Sequence, residues 1–484
     1  MNADAAFQAG MAALGTGREE AALEMLAAAR AAHPQDARLW HVSGLLHRAA
    51  EDIASAIACC ERAAQLWPQD FGVAHLHARV TLDAGLPAVA LYERTLGIGR
   101  DDTSLLGLIE AIHAERGTAA AIDRLDGLLA GDPGWVPAHT YLARLRCLAG
   151  EHDHMTDSFE RALAATPRDV FLWRELIITL LNAGRFEAVL DAIARARAAA
   201  GPHPTFDANE AVCVDNRGEH ERAERLFAPL AHVDEVDLIV HRARNQLRLG
   251  RPERAAALVE PKLASDAPLV AHYLSLAWRL TGDPRWEWLE GDDRLVGIYD
   301  LDVPDLAGLA AHLRSLHRSA HEPFEQSVRG GTQTDGQLLL RIEPEIQALR
   351  RLLVAAVERH IAQLPPPDPA HPTLGKSRAG PVRFAGSWSV RLTGGGHHSN
   401  HFHPEGWLSS AFYVALPAEA AAQEGWLQLG GLSGELGLDL PPIRLIEPKP
   451  GRLVLFPSTM WHGTVPFAAG ERLTAAFDVA RPAS

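Results

Sequence analysis

HPQDARLW places a proline at Pro34 and WPQDFGVA places the next at Pro68, a step of 34 residues. Asp102 stands one further step on, an acid in place of the proline. GDPGW and TPRDVFLW carry Pro133 and Pro167, again 34 apart, and AGPHP carries Pro202, one residue late. A weaker echo follows near Asp234 and Pro268. Between these markers Ala, Leu, Glu and Arg recur at helical spacing, with almost no strand pattern over the first 280 residues. A unit this short cannot bury an apolar face alone, whereas stacked units can. The period therefore predicts an all-α solenoid of seven or eight helix pairs over roughly residues 3–285. An Asp or Asn just after the proline would cap the following helix.

Within the period the large and small sites also repeat. Trp40, Gly44, Ala56 and Ala63 stand between Pro34 and Pro68. Leu142, Ala143, Phe159 and Ala162 follow Pro133, and Trp173, Gly184, Ile193 and Ala196 follow Pro167. Large residues fill the groove between helices, and small ones let helices approach. This pattern resembles the tetratricopeptide repeat, and the resemblance implies a concave face suited to a peptide or protein partner. Trp40, Trp173, His139 and His152 read as solenoid packing.

Near residue 284 the pattern changes. DPRWEWLEGDDRLVGIYDL carries no repeat; helices are expected at 304–317 and about 343–363, separated by a loop, HEPFEQSVRGGTQTDG. PPPDPAHP is a linker that cannot be helix interior. Then come RFAGSWSVRL, SNHFHP, WLSSAFYVALP, GWLQLGG, RLIEPKPGRLVLFP, HGTVPF and RLTAAFDVA, short alternating segments punctuated by Gly and Pro. Seven or eight such strands predict a jelly-roll or cupin-like barrel. The expected division is 1–285 for the solenoid and 286–484 for the second domain, its β core at about 380–480 with flanking helices.

Three histidines carry the chemistry. His401 and His403 in NHFHPEGW share one strand face, since side chains two apart point the same way. His462, in STMWHGTVPF, can reach the same point from a distant strand. Arg472 follows ten residues later, a planar guanidinium suited to a buried carboxylate. Tyr413, two strand steps from Ser409, is a candidate hydrogen-bond partner for a bound acid, with a core tyrosine as the alternative.

The ordered set RGGTQTDG, GSWSVRL, HFHPEGWLSSAFYVALP and PGRLVLFPSTMWHGTVPF resembles an oxygenase family that uses Fe(II) and 2-oxoglutarate and is often fused to tetratricopeptide repeats. The interval of 59 from His403 to His462 and of 10 from there to Arg472 matches that layout. The resemblance implies a double-stranded β-helix, Fe(II) as cofactor, 2-oxoglutarate as co-substrate and Arg472 on its distal carboxylate. The wider superfamily uses two histidines and one carboxylate. Here either His401, His403 and His462 bind iron, or His403, Glu405 and His462 do; strand parity does not choose. The family motif, read as H-x-H-P without a required acid at 405, favours the three histidines. So does Pro404–Gly406, which is expected to turn Glu405 away. His397 and His398 read as loop, and Trp388, Trp407 and Trp461 as packing. Arg329, Thr332 and Gln333 form a polar loop that either closes over the site or is a plain turn.

Two rival readings stand beside this one. One is a non-catalytic repeat scaffold with a ligand-sensing barrel. The other is a three-histidine cupin dioxygenase that needs no 2-oxoglutarate and hence no Arg472. A formal charge of −15 without any basic block argues against nucleic acid and against an anionic membrane surface. Cys59, Cys60, Cys147 and Cys213 form no C-x-x-C pair and read as buried thiols. No signal peptide or membrane span is visible, so a cytoplasmic protein is expected. The substrate and the oligomeric state are not encoded in any motif.

Overall fold

The computed structural model describes every residue except Met1, Ala320, Pro323, Glu325, Glu419, Ala420, Ala483 and Ser484, and the side chain of Glu435. Residues up to 281 form a succession of α-helices from Ala3–Ala13 to Leu263–Thr281, joined by short turns. Successive helices pack on one another around a string of apolar clusters. The capping expectation holds where it was drawn. Asp36, Asp70 and Asp169 each accept a backbone N–H in the first turn of the next helix, at 3.1, 2.9 and 3.0 Å. Asp101 does so in the degenerate repeat, with Asp102 as the first helical residue. One contact recurs with the period. Trp40 Nε1 donates to the Pro34 carbonyl at 3.0 Å and Trp173 Nε1 to that of Pro167 at 2.9 Å. His139 Nε2 stands 2.9 Å from the Pro133 carbonyl, the same place in its own repeat. In these three units the ring ties the start of the unit to its helix. None of the four cysteines forms a disulfide, and all are buried.

The C-terminal region is built on sheet. Its strands are β1 (Gly297–Asp300), β2 (Val328–Gln333), β3 (Phe384–His398), β4 (Gly406–Ala415), β5 (Leu427–Leu429), β6 (Leu432–Ser433), β7 (Asp439–Leu440), β8 (Arg444–Ile446), β9 (Arg452–Pro457), β10 (His462–Thr464) and β11 (Glu471–Ala480). Six form an antiparallel sheet in the order β1-β9-β4-β11-β3-β2; β10-β5-β8 form a second, and β6-β7 a small third. Alternation divides the faces of the large sheet. Leu408, Phe412, Leu453, Leu455, Leu473, Ala475, Phe477 and Val479 pack against helices Leu306–Leu316 and Pro344–Gln363. Ala411, Tyr413, Val454 and Phe456 turn the other way and meet Leu427, Leu429 and Ile446 of the second sheet.

Several expectations are corrected. DPRWEWLEGDDRLVGIYDL contains β1, which extends the large sheet by pairing with β9. Arg329, Thr332 and Gln333 lie on edge strand β2, paired with β3, and are not a loop; Pro323 and Glu325, in the expected loop before them, lie outside the described residues. His397 and His398 end β3, and a partner strand, not a turn, satisfies their backbone. His401 and His403 are not on regular strand: His401 makes an isolated bridge with His462, and 402–405 are irregular. Among the described residues no helix is long and apolar enough to cross a membrane.

Candidate metal centre

The three histidines converge. One ring nitrogen from each of His401, His403 and His462 lies within 4.8 Å of the others. Ring centroids are 5.0 Å apart for His401 and His403, 4.1 Å for His401 and His462, and 4.9 Å for His403 and His462. Backbone pairing brings the segments together: His401 N–H donates to the His462 carbonyl at 2.9 Å, His462 N–H returns the bond at 2.8 Å, and His403 N–H donates to the Ser458 carbonyl at 2.9 Å.

Each imidazole is oriented by an acceptor on Nδ1. That acceptor is the Ser399 carbonyl for His401 at 2.8 Å and the Met460 carbonyl for His462 at 3.0 Å. For His403 it is the Asp478 carboxylate, at 2.7 and 2.8 Å to its two oxygens. A proton held on Nδ1 fixes the tautomer and makes Nε2 the acceptor nitrogen. Burial holds the His401 pKa down at about 3 and drives His462 well below the usual range. Both are therefore neutral near pH 7, the state a metal requires. The donor set suits a divalent transition metal such as iron. Glu405 is exposed on the turn Pro404–Glu405 and takes no part in the cluster. Gly406 serves close packing more than the turn: a side chain there would collide with Ser458 Oγ.

Arg472 is 2% exposed, and no ion pair involves it among the described residues. The alternation of β11 explains its place, since Glu471 points outward to Arg314 and Arg391 while Arg472 points in. Thr474 is paired with Tyr413, which sets the Tyr413 ring 5.0 Å from the guanidinium carbon. Arg472 Nε and the Tyr413 hydroxyl are both buried without a hydrogen-bond partner among the described residues. Leaving a buried charge unpaired costs several kcal/mol, roughly, in a protein interior. Two adjacent orphan donors fit an anionic acceptor such as the carboxylate of a keto-acid. Burial raises the Tyr413 pKa, so its hydroxyl keeps its proton and can donate.

Sequence reasoning missed four residues here. Asp478 is one; it shares the face of β11 that carries Arg472 and Thr474, so an acid in an apolar strand was the available signal. Ser409 Oγ lies 2.6 Å from Asp478 Oδ1 and 2.9 Å from Ser458 Oγ, bracing that carboxylate. Ser327 Oγ stands 3.2 Å from His401 Nε2 and 2.9 Å from His398 Nδ1. His398, stacked 5.7 Å from His401, is driven well below its usual pKa by burial. Nothing local marked these serines. Trp407 and Trp461 are buried as expected, whereas Trp388 is half-buried with its ring 5.5 Å from His403.

Residues 386–478 match the family described as "Putative 2OG-Fe(II) oxygenase". No curated protein matches the chain. Among solved structures, a tetratricopeptide repeat protein from Parabacteroides merdae is similar at 15% identity, over 57% of this chain and 98% of that one, with a TM-score of 0.33. A Pseudomonas putida prolyl-4-hydroxylase is similar at 19% identity, over 39% of this chain and 92% of its own, with a TM-score of 0.27. The family match falls within the C-terminal sheet region, which follows the helical repeat region.

Proposed function

We propose that residues 286–484 are an Fe(II)- and 2-oxoglutarate-dependent dioxygenase that hydroxylates a peptide, protein or small molecule, which the repeats of residues 1–285 help to recruit. The observation that carries this reading is a buried, unpaired Arg472 placed ten residues after the last of three convergent imidazoles. The match of residues 386–478 supports it, and the two facing sheets support a double-stranded β-helix core.

When bound, Fe(II) supplies the activation of dioxygen that couples decarboxylation of 2-oxoglutarate to oxidation of a substrate C–H bond. The chain's own residues do the rest. His401, His403 and His462 would hold the metal through Nε2. Asp478 keeps the His403 proton on Nδ1, and two backbone carbonyls do the same for His401 and His462. Arg472 would receive the distal carboxylate, with Tyr413 donating a second hydrogen bond. Three neutral ligands leave the charge of the metal to be offset by a dianionic co-substrate, and burial keeps water away.

Anaerobic titration tests the reading. Fe(II) followed by 2-oxoglutarate should produce a weak metal-to-ligand charge-transfer band. Arg472→Ala should bind iron normally but lose about 2–5 kcal/mol of 2-oxoglutarate affinity, the usual cost of removing one member of a buried charge pair. Iron binding without any response to 2-oxoglutarate, in either protein, would favour the three-histidine dioxygenase. Absence of metal binding would favour the scaffold.

A further inference from the structure

We propose that the last helix of the repeat array, Leu263–Thr281, positions the histidine site, with His272 clamping both ligand segments through Phe402 and Trp461. This rests on the reading of His401, His403 and His462 as metal ligands. Phe402 lies between two ligand histidines and Trp461 directly precedes the third, so each segment turns one large ring away from the site. The two rings meet at 5.5 Å between centroids. His272 stacks on Phe402 at 3.5 Å with planes 24° apart, and meets Trp461 edge-on at 5.4 Å. Tyr273 closes the group, 6.2 Å from Phe402 and 5.9 Å from Trp461. Trp461 Nε1 also donates to the His272 carbonyl at 3.3 Å. One apolar cluster therefore runs from helices Val236–Arg248 and Leu263–Thr281 directly to the backs of the ligand segments.

His272 is fully buried, and neither of its ring nitrogens has a hydrogen-bond partner among the described residues. It therefore serves as a flat ring wedged between helix and ligand segment, a task another aromatic of similar shape can perform and a methyl group cannot. The segments need an outside hold. Their own hydrogen bonding is thin, since His401 has a single bridge and 402–405 belong to no strand. A ligand set keeps its geometry only when packing locks the side chains around it. The repeats are on this account a structural part of the metal centre as well as a recruiting arm.

The test uses the full chain and Co(II), whose visible bands report ligand number and geometry. His272→Ala should weaken Co(II) binding by about 10–100-fold, the range seen for outer-shell changes at metal sites, and alter the bands. His272→Phe should restore affinity and spectrum. Leu176→Ala, a fully buried change in helix Val170–Asn182 away from the site, should lower the melting temperature and leave Co(II) affinity unmoved. A wild-type chain that binds no Co(II) sinks the metal site and this inference together. A wild-type chain that binds it, with His462→Ala empty and His272→Ala at full affinity, sinks this inference alone. Equal losses in His272→Ala and Leu176→Ala, or no restoration by His272→Phe, would also overturn it.

Discussion

His401 and Glu405 are the two residues that separate the ligand sets left open by the sequence. His401 is bound to His462 through both backbone hydrogen bonds, and its ring is turned inward by the Ser399 carbonyl. Glu405 stands exposed on a turn. Loss of a ligand imidazole should empty the site, so His401→Ala, His403→Ala and His462→Ala are each expected to purify with little iron, and Glu405→Ala with a full complement. Iron stoichiometry by elemental analysis reads the result. Should Glu405→Ala be empty while His401→Ala stays full, His403, Glu405 and His462 hold the metal. The residue types and their intervals were legible in the sequence. The roles of Asp478, Ser327 and His398 were not: an acid in an apolar strand marks Asp478 as unusual, but its hydrogen bond to His403, across 75 positions, leaves no local trace.

At the scale of single elements, the turn after helix Leu263–Thr281 carries a second device. Glu290 is 2% exposed, and Ser275 Oγ of that helix donates to it at 2.5 Å. Burial pushes its pKa from the ordinary 4.5 up to about 7, against the opposing pull of the Ser275 bond and the Arg279 charge. The sign follows from proton counting. Between pH 4.5 and 7 the folded chain holds this proton and the unfolded chain has lost it, so stability falls as pH rises through that window. The loss is on the order of 3 kcal/mol at 1.36 kcal/mol per unit. Glu290→Gln cannot ionise, so its melting temperature should exceed that of wild type at pH 8 and the gap should close toward pH 5. A pH series of thermal melts checks this; parallel curves for the two proteins would refute it. The buried histidines act in the opposite direction, and comparing the two proteins cancels them.

Across the whole molecule, the first helix of successive pairs, or the turn that follows it, docks one edge of the array on the sheet region. Ile342 N–H donates to the Ala84 carbonyl at 3.2 Å, Arg144 pairs with Asp335 at 2.7 Å, and Arg318 reaches the Ala114 carbonyl. Glu51 shows what this docking costs. Comparable turn positions hold Gly85, Gly150, Gly184 and Gly218, all at positive φ, and Glu51 adopts φ 60° with a full side chain. A non-glycine residue there is strained by roughly 1–2 kcal/mol. The side chain supplies the reason: it ion-pairs with Arg350 at 2.8 Å and accepts the Phe384 N–H at 2.6 Å. Glu51→Gly should therefore destabilise the chain, because a partly buried Arg350 loses its partner. In an Arg350→Met background the same change should destabilise far less, the strain relief offsetting the one remaining bond. Denaturant melts of the four proteins give the coupling, and additive effects would show that Glu51 and Arg350 do not act together.

The repeat period, the strand-rich segments after the proline-rich linker and the two helices before it were all legible in the amino-acid sequence. They depend on spacing along the chain, and amphipathic periodicity is a local property. His401, His403, His462, Arg472 and Tyr413 could be nominated for the same reason, since their types and intervals are linear facts. Tertiary structure alone decided the edge strands β1 and β2, whose partners β9 and β3 lie far along the chain. It alone turned His398 from loop to the paired end of β3, and brought Asp478 behind His403. It also joined helix Leu263–Thr281 to the ligand segments, a contact spanning 189 positions from His272 to Trp461. Each of these depends on which surfaces meet when two regions pack, and that is fixed by shape and burial across the fold rather than by any neighbouring residue.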